Sequence, residues 1–252
     1  MRTIWRDVAD LVLPLDCAGC GCARAVLCEA CGEELWGQEA RRVRPAPEPD
    51  GLPVVHAVAP YVDVVRSVLL AHKERGAMVL SDALGRALAS AVAEGEAQPP
   101  ARRGRRRPGR ACPERSLVLV PVPSVRRAVR RRGHDPTRRM AIAAARRLRA
   151  AGTSAAVLSA LRHRRAVADQ SGLNSRERQA NLRGALELAP GAARLLAGRR
   201  IVVVDDLMTT GASLAEAGRV VRLAQTWEST GKGRTRAAVV AASPDSFEIN
   251  RN

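Results

Sequence analysis

Aromatic side chains are scarce in this chain: one Phe, one Tyr and three Trp among 252 residues, 2 % in all. That scarcity argues against a surface that binds single strands by stacking bases on rings. It also means that the core must be built from Val, Leu, Ile and Ala, within a hydrophobic share of 46 %. Lysine is nearly missing. Lys73 and Lys232 are the two lysines among 42 basic residues, so arginine carries the net charge of +17. Long apolar runs are missing as well, and none approaches the ~18–20 residues of a spanning helix. Arg2, Arg6, Asp7 and Asp10 interrupt the first apolar stretch, which removes the unbroken core of a signal peptide. No membrane span is expected, and the cytoplasm is the expected compartment.

The arginine excess has two readings. One is a coding bias that replaces Lys by Arg; the other is an electrostatic footprint for phosphates or nucleic acid. The length accommodates one α/β domain plus a small accessory module.

Cysteine is present but clustered. Cys17-x-x-Cys20 and Cys28-x-x-Cys31 form two knuckles, with Cys22 between them and Cys112 far away in a basic stretch. Two such knuckles suit a structural Zn²⁺ held by four thiolates, and Gly19, Gly21 and Gly32 permit the tight turns. Cys22 is left as a replacement for Cys20 or as a bystander.

Residues 201–213, Ile-Val-Val-Val-Asp-Asp-Leu-Met-Thr-Thr-Gly-Ala-Ser, carry the most chemistry. The apolar run reads as a strand buried on both faces of a parallel sheet, and an amphipathic helix starts near Ala212. Asp205 and Asp206 close the strand, followed by a turn of small hydroxyl residues and glycine: Thr209, Thr210, Gly211 and Ser213. Ligands of open α/β sheets bind at strand carboxyl ends. A Thr/Gly/Ser turn opening a helix offers N–H groups, hydroxyls and the positive end of the helix dipole to a phosphate. Paired carboxylates beside that cradle suit vicinal hydroxyls. A ligand bearing both groups is a 5-phosphorylated ribose.

This run resembles the signature of type I phosphoribosyltransferases, which bind phosphoribosyl pyrophosphate (PRPP). The resemblance implies that Asp205 and Asp206 hold the ribose hydroxyls and take part in catalysis. It implies that Leu207, Met208, Thr209, Thr210, Gly211 and Ser213 wrap the 5′-phosphate. Together with the cysteine knuckles, the whole chain is similar to the ComF family, in which a zinc ribbon precedes a phosphoribosyltransferase-like domain. The implied layout is a ribbon at 1–36, a Pro-rich linker at 37–55 and a transferase-like parallel sheet flanked by helices at 56–245. Residues 94–115, rich in Pro, Gly and Arg, form an expected disordered basic insertion.

Three further segments carry the resemblance. Lys73-Glu74-Arg75-Gly76 resembles the family's Lys-x-x-Gly turn, where Lys73 either approaches a diphosphate or is a solvated helix end. Pro121-Val122-Pro123-Ser124, followed by Arg126, Arg127, Arg130, Arg131 and Arg132, is the candidate diphosphate loop, with Ser124, Arg126, Arg127 and Arg132 as its ligands. Gln170, Leu173, Arg178 and Asn181 match the family's Gln-x-x-Leu-x-x-x-x-Arg-x-x-Asn stretch, and Gln170, Arg178 and Asn181 are assigned to a mobile loop over the sugar. His134 and Asp135 replace the Phe and Asn of relatives.

The expected partners are PRPP with Mg²⁺ and, through a role in DNA uptake, single-stranded DNA and competence or recombination proteins. The expected function is phosphoribosyl transfer or sensing, with a non-catalytic PRPP- and DNA-binding module as the alternative. The ribbon and the helices near 61–93 take the place of a nucleobase hood, so no ordinary purine or pyrimidine salvage is expected.

Overall fold

A computed structural model describes residues 16–97, 116–165, 175–226 and 235–248. The expected basic insertion beyond Ala97, Gln170, Leu173 and Cys112 lie outside them. The elements are α1 (Glu29–Trp36), β1 (Arg41–Val43), β2 (Val54–Pro60), α2 (Asp63–Lys73), α3 (Ser81–Ala97) and β3 (Leu117–Pro121). Then come α4 (Arg126–Arg132), α5 (Pro136–Ala150), β4 (Ala155–Val157), β5 (Leu161–His163), α6 (Ser175–Leu182) and β6 (Leu186–Leu188). The described chain closes with α7 (Ala192–Leu196), β7 (Arg200–Met208), α8 (Ala212–Thr226), β8 (Arg236–Ala242) and α9 (Asp245–Glu248).

The main sheet has six strands in the order β1-β2-β8-β7-β3-β4. Every pairing is parallel except β1 with β2. The continuous apolar runs are divided residue by residue between two cores, because successive side chains of a strand point to opposite faces. Leu117, Leu119, Val202, Val204, Ala238 and Val240 join α2, α3 and α5 on one face. Val118, Val120, Ile201, Val203, Ala237 and Val239 join α7 and α8 on the other. A separate antiparallel pair, β5 with β6, feeds Leu161 and Leu186 into that second core.

Two boundaries differ from the expectation. The expected linker at 37–55 contains β1 and the start of β2, because Val43 and Val55 turn into the core while the prolines fall between the strands. The expected start of the insertion at Glu94 is still helix: α3 runs to Ala97 and buries Gly95.

The site is placed by topology. β3 is followed by α5, whose Met140, Ala144 and Leu148 lie in the first core, before the chain returns to β4. β7 is followed by α8, whose Leu214, Ala217 and Val221 lie in the second, before β8. Neighbouring strands whose connections leave to opposite faces open a crevice at their carboxyl ends. Here that switch point lies between β3 and β7.

Candidate functional site

β3 and β7 run in register from Leu117 opposite Arg200 to Pro121 opposite Val204. β3 then stops, while β7 continues beside β8 through Met208, with Asp205 opposite Val239. The acidic pair therefore begins where β7 loses its neighbour on one side. Asp206 lies on the strand face of Val202 and Val204, the face covered by α2, and is 5 % exposed. There Lys73, the last residue of α2, reaches it: Nζ stands 3.1 Å from Oδ1 and 2.8 Å from Oδ2. The half-buried Asp205 accepts a 2.9 Å hydrogen bond from the Asp206 amide through Oδ1.

The two acids have opposite proton affinities. Burial pushes Asp205 well above the usual carboxylate range, and the adjacent Asp206 charge adds to this. Burial would raise Asp206 too, but the charge and hydrogen bond of Lys73, with hydrogen bonds from Asp205 and the Leu207 amide, together hold that carboxyl below its ordinary value. The Asp206 charge in turn raises Lys73. Beside them, His72 is 1 % exposed and donates from Nε2 to Ser81 Oγ at 3.0 Å, while Ser81 Oγ donates to the Met78 carbonyl at 2.7 Å. Burial lowers His72 to about 4, so it is neutral at physiological pH.

Leu207 and Met208 were expected to line a phosphate loop. Both remain in β7, opposite Ala241 and Ala242, and Met208 is buried. The strand outlasts the acidic pair because β8 supplies partners to the end. The turn itself is Thr209, Thr210 and Gly211. Gly211 has φ +73, and a Cβ there would meet Leu52 Cδ1 at 3.0 Å, so glycine is required. Its carbonyl accepts the Ala215 amide at 2.8 Å and starts α8. Ser213 lies in the first turn of α8, whose leading N–H groups have no acceptor within the helix.

The basic segment after β3 is a tied excursion. Ser124 Oγ donates to Asp135 Oδ1 at 3.1 Å, and the same oxygen caps α5 by accepting the Arg138 amide at 3.1 Å. α4 ends on Gly133, φ +74. Arg132 Nη2 donates to both Glu74 oxygens, at 2.8 and 2.6 Å, and Arg131 Nη2 stands 3.8 Å from the same carboxylate. Arg127, Arg130 and Arg131 are exposed; Arg126 belongs to the same helix. His134 donates from Nδ1 to the Arg132 carbonyl at 2.9 Å, and His163 of β5 donates from Nε2 to the Pro123 carbonyl at 3.0 Å.

Of the expected mobile-loop residues, Arg178 and Asn181 lie on α6, and the Asn181 carbonyl accepts from Arg165 at 2.7 Å. Gln170 lies outside the described residues. Glu74, Asp135 and His163 take part in the site without having been assigned to it. The signal for Glu74 was its place beside Lys73; nothing in the sequence pairs it with Arg132.

At the amino-terminal end of the described chain, the sulfurs of Cys17, Cys20, Cys28 and Cys31 all lie within 4.8 Å of one another. A tetrahedral tetrathiolate zinc has sulfurs about 3.8 Å apart. Cys20 Sγ and Cys28 Sγ are 3.7 Å apart, so this edge fits. Burial raises the Cys17 thiol, but the amides of Cys28, Cys20 and Gly19 outweigh it and bring it down to about 6. Cys28 and Cys31 open α1, where the helix amino terminus favours thiolate. Gly19 is needed: a Cβ would lie 2.7 Å from Cys31 Sγ. Cys22 stays outside the quartet, its thiol pushed up to about 12 by hydrogen bonds with the Cys20 and Cys28 sulfurs. The cluster could hold a structural metal such as zinc.

The geometry thus defines an α/β protein with a mostly parallel sheet, a four-cysteine cluster that could hold a metal, and an acidic pair at a strand switch point. No protein-family model matches the chain, and a search of curated proteins finds no match either.

Proposed function

We propose that this chain is a ComF-like phosphoribosyltransferase-family protein that holds PRPP, with Mg²⁺ on its diphosphate, at the carboxyl edge between β3 and β7. One observation carries the reading: the acidic pair runs directly into a Thr-Thr-Gly turn and a helix start at the topological switch point. In this reading Asp205 and Asp206 accept hydrogen bonds from the ribose hydroxyls, and Lys73 keeps the buried Asp206 ionised. The Thr209 and Thr210 hydroxyls and the first N–H groups of α8 take the 5′-phosphate. Arg132 and its neighbours on α4 face the diphosphate, where a planar guanidinium fork matches phosphate oxygens.

In the transfer, the bond from ribose C1 to the diphosphate breaks, the diphosphate leaves with the electron pair, and an acceptor nucleophile bonds to C1. The chain's contribution is positioning and charge: arginines on the departing anion and carboxylates near the cationic sugar. Mg²⁺, when bound with PRPP, neutralises diphosphate charge. The zinc-ribbon assignment of the cysteine cluster belongs to the same reading.

A second reading keeps the PRPP site as a sensor in a non-catalytic module that contacts single-stranded DNA during uptake. The exposed Arg127, Arg130 and Arg131 on α4 favour it. Titration of PRPP with Mg²⁺ into the wild type and into Asp205→Asn/Asp206→Asn, with diphosphate release followed with and without DNA, separates the readings. Binding lost in the variant, with release requiring an acceptor, supports the enzyme. Binding without release, joined by a DNA affinity that falls steeply with salt, supports the module. A wild type that does not bind PRPP sinks both, and rapid turnover of a free nucleobase would overturn the exclusion of salvage chemistry.

A further inference from the structure

Three side chains expected to meet the diphosphate are each bonded to a carboxylate of the chain itself: Lys73 to Asp206, Ser124 to Asp135 and Arg132 to Glu74. Asp206 belongs to the acidic pair, and Asp135 caps α5. Glu74 does neither. It stands at the end of α2, its side chain remains 44 % exposed, and both oxygens accept from the Arg132 guanidinium. Arg132 is the inverse case. Its side chain is 11 % exposed, and its buried Nε has no hydrogen-bond acceptor among the described residues. A buried guanidinium with an unused donor, covered by an exposed and replaceable carboxylate, suits an anion with more oxygens and charge than that carboxylate.

Chain order strengthens the argument. Lys73 and Glu74 are consecutive, so one helix end ties the ammonium to the acidic pair and the carboxylate to the basic excursion. An anion that takes Arg132 must displace Glu74. It can do so without disturbing a strand or a helix cap.

We infer that Glu74 is a specificity-determining residue: its carboxylate stands in for a phosphate on Arg132 and yields only to a ligand bearing a diphosphate. The inference rests on the ribose-phosphate reading of the β3–β7 crevice and adds a rule for which ribose phosphates are admitted. Ribose 5-phosphate carries no anion at C1, so it has nothing to exchange for Glu74. PRPP and inorganic diphosphate do.

The test is isothermal titration of the full chain with inorganic diphosphate, PRPP and ribose 5-phosphate, each with Mg²⁺. The proteins are wild type, Glu74→Gln and Glu74→Gln/Arg132→Gln, with thermal melts to establish that each is folded. The pair joins a half-exposed carboxylate to a single guanidinium nitrogen, so its loss is worth about as much as a strong surface ion pair, and Glu74→Gln should bind inorganic diphosphate and PRPP about fivefold more tightly. Ribose 5-phosphate affinity should not move, and the double variant should lose the gain. An unchanged diphosphate affinity in Glu74→Gln overturns the inference, as does an equal gain for all three ligands. If no variant binds PRPP or ribose 5-phosphate while Glu74→Gln still gains inorganic diphosphate, the ribose reading falls and the exchange at Arg132 stands.

Discussion

Asp205 and Asp206 are chemically identical neighbours that the fold drives apart. Asp206 owes its charge to Lys73, so Lys73→Met should leave a buried carboxylate without a counter-ion. Breaking a fully buried pair costs several kcal/mol; with the Lys73 side chain 40 % exposed, the loss should be about 1–2 kcal/mol at neutral pH. In the wild type, Asp206 is held low and stabilises the fold above the unfolded carboxylate value of about 4, losing that contribution as pH falls through its own lower value. Without Lys73, burial pushes Asp206 upward instead. The deficit in urea-melt stability should therefore be largest near neutral pH and close as the pH approaches 4.

Asp205 behaves in the opposite sense. Its raised proton affinity gives stability that is complete below about pH 4 and is lost as pH rises toward its folded value. Asp205→Asn keeps the Oδ1 that accepts the Asp206 amide and removes the ionisation. It should raise the melting temperature at neutral pH and give no gain below about pH 4. A variant less stable than wild type at both pH values would contradict this assignment.

At the scale of elements, the helices and inner strands were legible because their period is local. The apolar run from Ile201 marked β7, and the amphipathic stretch from Ala212 marked α8. The candidate site was legible only in its linear part. Asp205-Asp206 and the Thr-Thr-Gly turn could be seen, but not how far the strand would run, since that depends on β8 offering partners to Leu207 and Met208. The bond from Lys73 to Asp206 spans 133 positions, and that from Arg132 to Glu74 spans 58. No spacing rule pairs charges over such distances. The strands within 37–55 were hidden because their prolines resembled a linker.

Helix packing on the first face supplies an element-scale prediction. Gly85 of α3 faces α5 so closely that an added Cβ would collide with Ala143 Cβ, and would lie 2.9 Å from the Ala144 amide nitrogen. Backbone stands in the way, so a rotamer change cannot relieve the overlap. Gly85→Ala should destabilise the protein by about 1–3 kcal/mol despite alanine's better helix propensity. Chemical denaturation measures it; a stabilised Gly85→Ala would mean that α3 and α5 are farther apart.

Across the whole molecule, the cysteine cluster is not an appendage. Cys31 and Leu35 lie on one helix, and Leu35 is fully buried in the core shared by α2, α3 and the sheet. Trp36 carries the Arg86 guanidinium of α3 at 4.5 Å from its ring centroid. Loss of a metal from the thiolates should therefore unsettle the face that holds Lys73. A strong chelator should lower the single melting transition of the entire protein, not split off a small early one. Scanning calorimetry with and without chelator, alongside metal analysis, reads this out. Two well-separated transitions would show that the module melts alone.

The sheet order has a consequence in time. β8 is inserted between β2, made far earlier in the chain, and β7, the strand that directly precedes it. Until residues 236–242 have left the ribosome, β2 and β7 are two unfinished edges with nothing between them, and the turn after Asp206 has no strand to hold it open. Such non-local closure is slow and leaves intermediates with bare edges. The protein thus completes its candidate site only once residues 236–242 have been made, and a nascent chain halted before Arg236 would emerge with those strand edges bare.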